Sequence, residues 1–263
     1  MTAPAVSVLM SVHDGAPWVA DAVASVLAQT AGDLELIVVD DGSTDATPDL
    51  LAAVRDPRLR VMRQARTGLT RALNRALGAA RGELVARLDA DDVALPERLA
   101  RQRAFLQQRP DVGLLGSAAR EIDADGALVR VVQPPAEDSA LRRALIRANP
   151  FVHSSIVVRR ALLERAGGYD ETLAVAQDYD LWMRLARVTR LANLPDVLVV
   201  RRLGPGRVSV ERENDRLRTE ARVRWRAVRS GAYPAWCALF ALRPVVARLL
   251  PRPLRRALRA TLA

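Results

Sequence analysis

Residues 82–102 read GELVARLDADDVALPERLARQ: an apolar run, a knot of carboxylates, a proline, and then leucines spaced among charges. ELVARL (83–88) predicts a buried strand, and PERLARQRAFLQQ (96–108) a helix with proline in its first turn, where a missing N–H costs nothing. Between them Asp89, Asp91 and Asp92 crowd into four positions of a chain whose formal charge is +10. Carboxylates that close repel one another. Either a hard cation relieves them, Mg²⁺ or Mn²⁺ rather than zinc, or they form a solvated turn before a helix N-terminus that favours negative charge.

The same figure recurs upstream. VSVLM (6–10) predicts a strand, followed by a turn with His13, Asp14 and Pro17. A helix then carries Val19, Ala22, Val23, Val26 and Leu27 on one face. LELIVV (34–39) predicts a second strand running into the polar turn DDGSTDATP, LRVM (59–62) a third, and GLTRALNRALGAA (68–80) a helix. This β-α-β-α order predicts an α/β sandwich with a mainly parallel sheet covered on both faces. Ligands of such sheets sit beyond the carboxyl ends of the strands. Three separate strands deliver polar clusters there: His13-Asp14, Asp40-Asp41-Gly42-Ser43 and Asp89-Ala90-Asp91-Asp92.

From about residue 111 the pattern changes. DVGLLGSAAREIDADGALVRVV predicts two strands around a turn, and NPFVHSSIVVRRALLERAGGYDE a strand, a short helix and a Gly-Gly turn. QDYDLWMRLARV (177–188) predicts a helix with Asp178 in its first turn, and LANLPDVLVVRR a last strand. Nothing linker-like interrupts the chain up to about residue 210. Residues 211–263 predict a basic helical extension in which Trp236 and Phe240 accompany many arginines. It suits either packing on the domain or lying on an anionic membrane surface.

Composition narrows the classes. Half the residues are hydrophobic, which excludes a disordered chain, and Cys237 is the single cysteine, which excludes a disulfide framework. The start has no basic leader, and no apolar run reaches the roughly 20 residues of a membrane span. The expectation is therefore a cytoplasmic protein with peripheral contact at the inner face of the cell membrane. Every basic residue is Arg and none is Lys; the charge is diffuse and selects no partner by itself. With few aromatics and no recognition motif, nucleic acid is the poorer partner. A Walker loop and GxGxxG are both missing, and DADDVALPERL lacks the glycine of an EF-hand loop.

The blocks SVLMSVHDGAPWVADAVASVLAQT, LELIVVDDGSTDAT, TGLTRALNRALGAARGELVARLDADDVALPERLARQ, NPFVHSSIVV, GGYDE and AQDYDLWMRLA resemble, in order, those of the inverting nucleotide-sugar glycosyltransferases of family 2. The resemblance covers roughly residues 5–200. It implies a GT-A type α/β/α sandwich over 1–210, with a nucleotide-binding half at about 1–110 and an acceptor half at about 111–210. It also implies transfer of one sugar from a nucleoside diphosphate sugar, UDP-linked, to a hydroxyl of a glycan or lipid-linked acceptor, in glycan or surface polysaccharide assembly.

Residue by residue, the resemblance gives Asp40 the nucleobase N–H and leaves Asp41 to shape the turn. His13 and Asp14 stand beneath the base, where Tyr and Asn are usual. Arg66 and Asn74 approach the nucleotide and its phosphates, although a loop charge and a helix-face residue fit these two equally well. Asp89 and Asp91 form the DxD element, Asp91 toward Mn²⁺ or Mg²⁺ and Asp89 toward ribose or the metal's water; Asp92 shares this work or caps the next helix. Asp178 is the general base, since Gln177, which replaces the usual Glu, cannot ionise. His153, Gln177 and Trp182 fall on the acceptor side, with a buried structural role open for His153 and a core role for Trp182. Asp180 is expected to point away. Two other readings remain at this point: a sugar nucleotidyltransferase, which lacks its Gly-rich loop here, and a non-enzymatic basic nucleic-acid- or membrane-binding protein.

Overall fold

The computed structural model describes residues 3–204 and 212–249; Arg252, Arg255, Arg256 and Arg259 of the basic extension lie outside them. Two apolar runs decide the architecture. β1 (Val6–Val12) and β2 (Leu34–Asp41) are buried along almost their whole length, as strands covered on both faces must be. Their side chains alternate between two cores: Val8, Met10, Leu36 and Val38 enter one, Leu9, Ile37 and Val39 the other. The first core is closed by α1 (Val19–Leu27), α2 (Thr47–Ala53) and α4 (Arg98–Gln108), through Val19, Val23, Leu51, Leu99 and Leu106. The second is closed by α3 (Leu69–Ala79), α5 (Asp138–Leu145), α6 (Arg160–Arg165) and α7 (Gln177–Leu185), through Leu73, Leu77, Leu141, Leu163 and Trp182.

The remaining strands are β3 (Leu59–Gln64), β4 (Leu84–Arg87), β5 (Val93–Ala94), β6 (Val112–Ile122), β7 (Leu128–Val132), β8 (Val157–Arg159) and β9 (Arg190–Arg202). The order is β3-β2-β1-β4-β8-β6-β9-β5, with β7 on β6. Four pairings are parallel and four antiparallel. The sheet is thus mixed, which corrects the mainly parallel expectation. The reason is local: β1 to β4 are each joined through helices, whereas β6 and β7 form a hairpin and β8 runs back between β4 and β6.

In the parallel part, order 3-2-1-4 reverses direction between β1 and β4, and a crevice opens at such a switch point. His13 leaves one wall of it and Asp89 the other. Gly42 permits the turn after β2: its φ is +75°, and a Cβ there would lie 2.7 Å from the backbone nitrogen of Arg66. Beyond β9, α8 (Glu213–Arg229) and α9 (Ala238–Leu249) follow. Val223, Ala227 and Cys237 enter the second core, so this part of the extension packs on the globule.

Candidate active site

The first two loops are laced together. Asp14 N donates to Ser43 Oγ (3.0 Å), Gly15 N to Thr47 Oγ1 (2.9 Å) and Ala16 N to Asp45 Oδ2 (3.0 Å). In return Asp14 Oδ1 accepts the N–H of Thr44 at 2.8 Å, and this bond, chiefly, holds its carboxyl below the usual range. Asp14 thus ties the two loops together at the place that the resemblance puts beneath the base. His13 hydrogen-bonds through Nδ1 to the Asp41 carbonyl (3.0 Å), and its Nε2 lies 3.3 Å from Asp14 Oδ2, which braces a half-buried ring at the mouth of the crevice.

Asp40 and Asp41 divide cleanly. Asp41 accepts from Gln64 Nε2 (2.7 Å), Thr67 N (2.8 Å) and Gly68 N (2.7 Å). Burial alone would raise its pKa; these donors outweigh burial and lower it. They also bring the loop carrying exposed Arg66 onto the turn. Asp40 Oδ1 accepts Ser43 N at 2.9 Å, while Oδ2 is buried without a hydrogen bond, 3.3 Å from Arg63 Nε. One acceptor is thus left over at the position assigned to a base. Of the two roles open for Asn74, its contacts fit the helix face: its amide donates to Tyr169 O (2.9 Å) and Glu171 Oε1 (3.0 Å) and accepts from Tyr169 N (2.9 Å), so α3 is tied to the Gly-Gly turn.

At the acidic turn, Asp89, Asp91 and Asp92 bring carboxylate oxygens within 4.8 Å of one another. Two of the three are held. Asp89 pairs with Arg87 Nη2 and approaches Ser154 Oγ at 3.0 Å. Asp92 accepts the N–H of Arg202 (3.0 Å) and bonds to Ser154. It is buried, and loss of hydration, reinforced by neighbouring Asp91, pushes its carboxyl up to about 6. Asp91 has neither hydrogen bond nor ion pair among the described residues. Behind the turn, fully buried Arg98 donates to the carbonyls of Arg87 (2.8 Å) and Ile156 (3.2 Å). Burial brings its pKa down to about 9, still protonated at neutral pH.

The donor set fits a hard divalent ion: oxygen atoms only, gathered at one point, one carboxylate uncommitted. Asp91 and Asp89 are the residues that would hold it.

On the other wall, α7 begins after Ala176, a non-glycine residue with φ of +55°. Its first residue, Gln177, is buried, and half-buried Asp178 receives Asn149 Nδ2 at 2.7 Å. Desolvation raises the pKa of Asp178, offset in part by the N–H of Tyr179 and the positive field of Arg87. That field also reaches Asp91 and Asp92, so both walls face one guanidinium. His153 Nε2 is 2.9 Å from Tyr169 Oη, and its ring packs edge-on against Tyr169 and Trp182. Burial, then Arg87, takes its pKa well below 6.5; it is a neutral, braced imidazole. Of the two roles open for Trp182, its burial fits the core: it is 0% exposed, and among the described residues its Nε1 has no hydrogen bond. Asp180 is buried on Arg184 and Arg226.

Arg63, Arg87, Asn149 and Ser154 escaped the sequence reading. Only Arg87 left a signal, as the lone charge of LVAR within that apolar run.

An α/β sandwich with a crevice at the β1–β4 switch and an acidic turn facing a desolvated carboxylate is the frame of a glycosyltransferase. Residues 7–167 match the family described as Glycosyl transferase family 2, and the chain belongs to that family. It is 32% identical over 199 residues to the amylovoran biosynthesis glycosyltransferase AmsE of Erwinia amylovora, covering 74% of each chain. It is 31% identical over 266 residues to an uncharacterised glycosyltransferase of Haemophilus influenzae, covering 97% of each. With the succinoglycan biosynthesis protein ExoO of Rhizobium meliloti it shares 32% over 193 residues, 68% of this chain and 54% of that one. Among solved structures, S. aureus TarS 1-349 with UDP-GlcNAc superposes with a TM-score of 0.68 at 24% identity, over 83% of this chain and 66% of that fragment. The mannosyltransferase PcManGT of Pyrobaculum calidifontis, with GDP-Man and Mn²⁺, gives 0.67 at 24% over 99% and 80%. These likenesses establish the GT-A fold.

Proposed function

We propose that this glycosyltransferase moves a single sugar, with inversion, from a UDP-linked donor to a hydroxyl of a glycan or lipid-linked acceptor during surface polysaccharide assembly. The observation that carries it is Asp178: a carboxylate with a raised pKa at the head of α7, facing the acidic turn across Arg87. Inversion by one displacement needs a carboxylate that takes the acceptor's proton as its oxygen attacks. Asn149 and the N–H of Tyr179 orient the Asp178 carboxylate that would take that proton. Asp40 Oδ2 supplies the acceptor for a base N–H, His13 the braced ring near the base, and Arg66 a cation on the donor side. Asp91 and Asp89 would hold Mn²⁺ or Mg²⁺, which when bound neutralises the charge of the departing diphosphate. The nucleotide half at about 1–110 and the acceptor half at about 111–210 then meet at the crevice. The relatives named for amylovoran and succinoglycan biosynthesis support the polysaccharide setting.

Thermal shifts with UDP, GDP and CDP, each with and without Mn²⁺, test the donor. UDP with Mn²⁺ is expected to stabilise most. A larger GDP shift moves the base assignment, and no shift with any nucleotide sinks the reading. The anomeric configuration of the product, by NMR, tests inversion.

Among the described residues no helix is long and apolar enough to cross a membrane. Trp236, Leu239, Leu242 and Val246 are more than half exposed around α9. Together with the arginine excess this supports peripheral contact with an anionic surface at the inner face of the cell membrane. Cosedimentation with phosphatidylglycerol vesicles but not with neutral ones is the expected result; indifference to both removes the membrane from the proposal.

A further inference from the structure

A charge inside a buried strand needs a reason. Arg87 ends β4, and its side chain is 3% exposed. Nη2 pairs with Asp89, Nη1 donates to Ser154 Oγ at 2.9 Å, and Nε is buried without a partner. Ser154 in turn contacts both Asp89 and Asp92. Two of the three acidic residues are therefore held, directly or through one hydroxyl, by a cation that belongs to the chain. Among the described residues, Asp91 has neither hydrogen bond nor ion pair.

We propose that Arg87 is a positioning residue that makes the acidic turn accept a divalent ion only together with a nucleoside diphosphate. The inference rests on the metal-assisted reading above. A divalent ion arriving alone meets carboxylates already partly neutralised, and it must compete with the guanidinium for Asp89. At such range in a poorly hydrated site, one fixed positive charge repels another strongly. A diphosphate brings negative charges of its own, offsets the guanidinium and restores the attraction. The leaving group and the ion that stabilises it then arrive as a unit. An arginine that merely supported the turn would behave in the opposite way: without it the carboxylates would lose their arrangement, and ion binding would weaken with and without nucleotide.

The sign of the effect decides. Free Mn²⁺ is titrated by EPR against the wild-type chain, Arg87→Gln and Arg87→Lys, with and without UDP and GDP, correcting for metal–nucleotide complex measured without protein. Circular dichroism and melting curves establish that each variant is folded, and Arg87→Met replaces the Gln variant if that one is not. Wild type is expected to bind Mn²⁺ weakly alone and at least about tenfold better with nucleotide. Arg87→Gln should bind nucleotide-free Mn²⁺ about tenfold more tightly than wild type, with the nucleotide enhancement shrunk accordingly. Arg87→Lys, which keeps the charge, should behave as wild type. Weaker or unchanged nucleotide-free binding in Arg87→Gln overturns the inference. Failure of the wild-type chain to bind Mn²⁺ under any condition overturns the metal-assisted reading itself.

Discussion

Asp41 and Asp92 stand on the same rim of the sheet, 3% and 2% exposed, and they meet burial in opposite ways. Asp41 is surrounded by donors: two backbone N–H groups, an amide and a hydroxyl. Its pKa falls despite desolvation. Asp92 has one backbone N–H and one shared hydroxyl, with the carboxylate of Asp91 beside it, and its pKa rises to about 6. Burial sets the cost of a charge, and the donors around it decide whether the charge is kept. The turn after β2 satisfies its carboxylate from within, whereas the turn after β4 leans on Arg87 and Ser154 for two carboxylates and, among the described residues, gives Asp91 no hydrogen bond. Asp178 belongs with the second kind.

The largest expected effect tests that grouping. Asp178→Asn should retain nucleotide binding in thermal shifts while transfer falls by about 10²–10⁴-fold. A base must be ionised to work, and desolvation raises this one. The acid limb of kcat/KM should therefore lie above the ordinary carboxylate range, with activity lost as pH drops through it. Unaltered turnover, or a limb at ordinary carboxylate pH, would separate Asp178 from the acidic turn.

Next is the contrast between the two buried aspartates. Asp92 has a folded pKa of about 6 against an ordinary 3.8, so the fold prefers its protonated form. Its contribution is complete below pH 3.8 and is lost as pH rises through 6. The full shift corresponds to about 3 kcal/mol. Without metal, urea unfolding of the wild type between pH 5 and pH 8 should carry about half of this loss, the rest falling between pH 3.8 and pH 5, and Asp92→Asn should lack it. A variant whose stability follows wild type over that interval would break the comparison.

Asp41→Asn gives a smaller effect of opposite sign. It strips buried N–H donors of their acceptor and should destabilise at pH 8 by about 2 kcal/mol, seen as a lower urea midpoint. Stability equal to wild type would mean that the Thr67–Gly68 loop does not depend on that carboxylate.

What the sequence made legible follows the range of the interactions. β1, β2, β3, α3 and α4 were readable because each declares itself within a dozen residues, by an apolar run or a helical stripe. α2 hid in DDGSTDATP, where polar turn residues run directly into a seven-residue helix, and β5 is too short to show a pattern. The parallel expectation failed at β8, whose direction depends on partners distant in sequence. At the site, the carboxylates were legible as clusters and as blocks of a resemblance. Their partners were not: Ser154 reaches Asp89 across 65 positions. Trp182 and Asn74 each kept two roles open for the same reason, since helix position alone does not say which neighbour a side chain will meet.

The hydrogen bond from Arg202 N to Asp92 spans 110 positions. β4 itself pairs with β1 and β8, both distant in sequence, and Asp92 acquires its backbone donor only when the end of β9 has docked. Loop closure over such distances comes late in folding. A chain still emerging from synthesis, or cut before β9, can present the acidic turn but not the finished clamp. Competence in this protein is thereby tied to completion of the sheet.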